Sequence, residues 1–146
     1  MEPEGMVDAL GRILKCLRPL GWLIDIHPTP EAARMEVWLP EGIVSAGDLI
    51  DHDDHSGPRT RHAQADNALS TAIARGWFVL EERRQFTFRR HANTLSEMRA
   101  YVESKWQRAG FEEATWVGAS PLLQDPRARL SVHEQVRIGR LRSGQL

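Results

Sequence analysis

The chain has 146 residues, is 41% hydrophobic and 27% charged, and sets 19 Lys and Arg against 20 Asp and Glu for a net charge of −1. A chain of this length buries roughly two-thirds of its unfolded surface and needs no disulfide or metal to fold. One cysteine excludes an internal disulfide framework and a multi-cysteine zinc site. The balanced charge gives no reason to expect a nucleic-acid partner.

No apolar run approaches the ~20 residues of a membrane span, so no membrane partner is expected. The opening Met1-Glu2-Pro3-Glu4-Gly5 is acidic and polar, unlike a targeting peptide, and the expected location is the cytoplasm. A single domain over residues 1–146 is expected.

Val7, Leu10, Leu14 and Leu17 recur at helical spacing and predict a helix over 6–18, stopped by Pro19. Residues 22–27, between Gly21 and Pro28, are rich in strand formers and predict a buried strand. Strands over 34–39 and 43–50 flank the turn Pro40-Glu41-Gly42. After a polar loop over 51–60, a helix over 60–75 has an Ala65, Ala68, Leu69, Ala72, Ile73 face, with Gly76 as its C′ residue.

Segment 77–91 reads as a hairpin, with the charged residues 81–84 as its turn. Thr94 and Glu97 form a capping box for a helix over 95–108. A weaker helical segment covers 112–124, and 129–141 alternates as a long closing strand. The expected fold class is α+β, a single mixed or mainly antiparallel sheet with helices packed on it.

Met6 to Pro28 contains Leu10-Gly-Arg-Ile-Leu-Lys-Cys-Leu-Arg-Pro-Leu-Gly-Trp-Leu-Ile-Asp-Ile-His27. This resembles class I S-adenosylmethionine-dependent methyltransferases, where a helix ends in Leu-(Lys/Arg)-Pro-Gly-Gly and leads into the fifth strand. Leu17-Arg18-Pro19 and Gly21 fit. Leu20 replaces the first glycine, which implies an altered turn. A looser echo runs from Thr94 to Ala109-Gly110-Phe111, similar to the helix before that family's last two strands.

The resemblance implies the second half of a Rossmann-like methyltransferase fold. The family's cofactor loop is glycine-rich and lies in the first half. This chain has no Gly-x-Gly, and only five residues stand before its first helix. The expectation is therefore a scaffold half with no cofactor.

Three functional readings follow. The first is a methyltransferase-like module, non-catalytic alone, acting through a partner protein or a small molecule. The second is a methyl-transfer enzyme whose site is completed across a dimer or by a cofactor-binding chain. The third is an unrelated small-ligand-binding α+β domain.

His27 ends the strand 22–27, and Asp25 lies two residues before it on the same face, a candidate catalytic acid/base pair. Trp22, and the basic run Arg89, Arg90 and His91 with Arg83 and Arg84, are candidate ligand-binding residues. Asp51-His52-Asp53-Asp54-His55 has the residue types of a metal site, but it falls within one loop, and no metal is expected. Cys16 is expected to be a small buried hydrophobe. The apolar strand 22–27 needs cover for its edge, from the hairpin 34–50 or from a second copy in a homodimer.

Overall fold

The computed structural model describes residues 3–144. It is an α+β fold with a mainly antiparallel sheet, and its chain divides into two compact units. The first unit takes the chain up to Thr29, Arg61–Phe86, and the chain from Val136 onward. The second takes Pro30–Thr60 and Thr87–Gln135. No helix among the described residues is long and apolar enough to cross a membrane.

The first unit opens with α1 (Pro3–Cys16) and β1 (Trp22–Pro28). It also holds most of α2 (Pro58–Ala74), the start of β5 (Phe78–Ala92) and the end of β7 (Arg129–Ser143). β1 runs antiparallel to β7, from Trp22 opposite Arg142 to Pro28 opposite Val136. Leu14, Leu69, Ala72, Phe78 and Leu141 form its core. Gly76 ends α2 at φ 72°, and the bonds Gly76 N–H to Ile73 and Trp77 N–H to Ala72 complete the expected glycine cap.

The second unit contains β2 (Arg34–Leu39), β3 (Gly42–Asp48), α3 (Leu95–Lys105), α4 (Glu113–Ala119) and a 3-10 turn at Pro121–Gln124. The short strands β4 (Ile50–Asp51) and β6 (Ala109–Gly110) pair with each other. β2 lies between β3 and the first part of β7. Met35, Val37, Leu130 and Val132 meet Met98, Val102 and the other core side chains of this unit. Thr94 accepts the Glu97 N–H at 3.1 Å, as the capping box requires, while the Glu97 carboxylate accepts from Asn93 N–H at 3.3 Å. At Gly47 an added Cβ would come within 2.4 Å of Thr115 Oγ1, so glycine lets α4 approach β3.

Several expectations are corrected. The segment 77–91 is no hairpin: β5 is one continuous 15-residue strand. Residues 81–84 contain no Gly, Pro, Asn or Asp to make a turn. Glu81 instead pairs with Arg140 and Arg142 of β7. Strand 22–27 is not buried. Leu23, Asp25 and His27 are partly covered, but Trp22, Ile24 and Ile26 are 54%, 52% and 58% exposed. The hairpin of β2 and β3 does not cover β1, because β2 pairs with β7.

Leu20 holds φ 61°, in the left-handed region that favours glycine. Cys16 is exposed, since it lies off the Leu10, Leu14, Leu17 stripe of α1. The third helix stops at Lys105 rather than at 108.

Candidate functional site

Among the described residues, titratable side chains of the first unit converge around the candidate pair Asp25 and His27. Alternation along β1 puts Asp25 and His27 on one face. His27 Nδ1 donates to Asp25 Oδ2 at 2.6 Å, so the expected pair is formed. Two further residues join it. His27 Nε2 donates to Asp66 Oδ1 on α2 at 2.8 Å, and Arg137 Nη1 on β7 donates to the same oxygen at 2.6 Å.

Arg137 is His27's direct cross-strand neighbour, so strand register brings it there. Asp66 comes from one turn before the buried Leu69 of α2. Neither could be assigned from sequence spacing alone, because both depend on long-range pairing.

The electrostatics match the geometry. The hydrogen bond to Asp25 is the largest influence on His27. It outweighs burial and, with Asp66, holds the imidazole pKa above its ordinary value. For Asp66, burial pushes the carboxyl up, but the bonds from His27 and Arg137 together bring it below the usual carboxylate value. Two carboxylates on two ring nitrogens favour the imidazolium, whose nitrogens both donate. The resulting Asp25–His27–Asp66–Arg137 set is two anions and two cations, closed on itself. It leaves no ring lone pair to accept a proton from a substrate.

Trp22 lies on the other face of β1, with the guanidiniums of Arg140 and Arg142 at 5.4 and 5.3 Å from its ring. Beside it, Ile24, Ile138, Arg140, Glu82 and Arg84 line a shallow hollow of about 300 Å³.

The basic run does not converge on one point. Arg89 lies over Trp38 at 5.6 Å, and His91 meets the edge of that ring at 5.4 Å. Alternation turns Arg90 to the other face, where it stacks on Tyr101 and sits 3.7 Å from Glu97. Arg84 pairs with Glu82.

In the loop 51–55, Asp53 is bound to the neighbouring backbone and Asp51 to the start of α2. Asp53 accepts from His55 N–H, Ser56 N–H and Ser56 Oγ. Those bonds take its pKa down to about 2. Asp51 Oδ2 accepts Arg59 N–H in the first turn of α2. Among the described residues no group of three or more His, Cys, Asp or Glu side chains is placed to hold a metal ion.

Comparison with protein-family models, with curated proteins and with solved structures returns no match to this chain.

Proposed function

We propose that this chain is a methyltransferase-like module without a complete cofactor site, non-catalytic by itself, which acts by binding a partner. The observation that carries this reading is the engagement of His27. Both ring nitrogens are held by carboxylates, so the best acid/base candidate serves as a structural cross-link. The same unit offers a binding surface in its place. Trp22, Ile24 and Ile26 project outward from β1, and among the described residues no backbone hydrogen bond reaches that strand's outer edge. A row of free backbone donors and acceptors beside half-exposed apolar side chains favours strand addition.

The methyltransferase part of the proposal rests on Met6–Pro28 and Thr94–Phe111 and on the missing Gly-x-Gly. Calorimetric titration of the pure chain with S-adenosylmethionine tests it. No saturable heat is expected at micromolar concentrations. Saturable binding there would restore the enzyme reading and overturn this one.

A further inference from the structure

We infer that a second copy of this chain pairs with the outer edge of β1, antiparallel about a twofold axis and centred on Ile24. The inference rests on the binding role proposed for β1 and names its partner.

Within the five-stranded sheet, three of the described strands pair on one side only: β1, β3 and β5. The edge of β3 carries a bulge, where the register shifts between Met35 and Glu36. β5 carries Glu81, Glu82, Arg83 and Arg84 along its exposed length. Bulges and charge are what keep edges from pairing. β1 has no bulge in its ladder with β7. Its one acidic residue, Asp25, is turned inward and held by His27.

Symmetry narrows the register. A twofold that sets two copies of one strand antiparallel must stand normal to the sheet. It keeps like faces together, so each allowed register places one residue opposite itself. Centring on Asp25 would set Asp25 against its own copy, and like charges directly opposite are unfavourable. Centring on Ile24 sets Ile24 against Ile24, and Trp22 against Ile26 at either end. All three exposed apolar side chains then find apolar partners. On the inner face Asp25 lies opposite Leu23, and His27 opposite Gly21.

The surroundings favour a self-partner. Arg84, Arg140 and Arg142 at the rim pair among Glu81 and Glu82, leaving no large excess that would call for an oppositely charged chain. Three half-exposed side chains per copy bury on the order of 300 Å² each side, at the small end for an interface, so the association is weak and reversible.

Sedimentation velocity of the full chain across the micromolar range tests the association. A reversible monomer–dimer equilibrium is expected. Ile24→Lys should weaken it by about tenfold or more while leaving the thermal melt in place. If that variant does not fold, Ile24→Thr, compatible with a strand, reads the same equilibrium.

Register is read by cross-linking in a Cys16→Ser background, since Cys16 is exposed. Ile24→Cys should form disulfide-linked dimers on mild oxidation. Ile26→Cys should cross-link to Trp22→Cys but not to itself. A chain monomeric throughout overturns the inference and leaves the non-catalytic reading to the cofactor titration. So does a dimer indifferent to Ile24, or one that cross-links at other positions. Saturable S-adenosylmethionine binding by a dimer of this register would reverse the outcome, keeping the interface and removing the non-catalytic reading.

Discussion

Leu20 holds a left-handed conformation that favours glycine, and nothing in its own side chain asks for it. The requirement comes from the next residue. Gly21 N–H bonds to Arg18 C=O at 2.8 Å, and a Cβ on Gly21 would stand 2.8 Å from that same oxygen. Gly21 therefore fixes the turn, and Leu20 follows it at a cost of about 1–2 kcal/mol. Leu20 is also half exposed, so it returns little in burial. Leu20→Gly should stabilise the fold, by several tenths to about 1 kcal/mol once the extra freedom of glycine in the unfolded chain is deducted. Urea unfolding would show a higher midpoint. A lower midpoint would mean that Leu20 packing outweighs the strain. At this scale the sequence was legible where the chemistry is local: the Thr94–Glu97 cap, the Gly76 terminator and the Asp25–His27 pair each rest on short-range spacing. The strain at Leu20 is not legible in the sequence, because it comes from the packing of Gly21 against Arg18.

Among the elements, the long strands resisted reading. The sequence of β5 reads locally as a hairpin because its apolar ends flank a charged centre. That centre is satisfied by Arg140 and Arg142, some 60 positions away in the chain, a pairing that no local window contains. Separation along the chain likewise hides Asp66 and Arg137 from His27, although together they tie β1, α2 and β7. This tie is pH-dependent in a definite direction. His27 has a raised pKa in the fold, so the stability it adds is full below its ordinary value of 6.5. That stability is lost as pH rises through the folded value. Asp66 is lowered, so its contribution is present above its ordinary 3.8 and lost as pH falls through the folded value. The cluster should hold best between these limits. His27→Gln is expected to cost about 1 kcal/mol at pH 6, where it removes charge-assisted bonds from a partly solvated site. Melting temperatures against pH should show the native chain and the variant converging in the alkaline range. A constant gap from pH 5 to 9 would mean that His27 acts through packing and not through its charge.

At the scale of the whole molecule, β7 is the element on which both units depend. Its first part pairs with β2 and its last part with β1. Leu130 and Val132 sit in the core of the second unit, and Leu141 in the core of the first. Neither unit is a continuous stretch of chain, because each is interrupted by segments of the other. The alternation of 129–141 made the strand visible in the sequence. Its service to two cores was not visible, since a periodic pattern does not say what lies against it. Leu130 and Leu141 are 0% and 1% exposed, so truncating either to alanine removes a filled site. Leu130→Ala and Leu141→Ala should each cost about 2–5 kcal/mol, the usual range for a buried leucine. The effect should also be common to both units. A strand that loses its packing at one end gives up ladder partners along its length, and each unit's sheet is built on that ladder. In a Trp22→Phe, Trp77→Phe background, tryptophan fluorescence reports on Trp38, Trp106 and Trp116 of the second unit, while far-UV circular dichroism reports on all the helices, including α1 and α2. In Leu141→Ala, whose lesion lies in the first unit, both signals should therefore melt together at a lowered midpoint. If the circular dichroism transition moved while the fluorescence transition stayed, the two cores would be independent and β7 would not couple them.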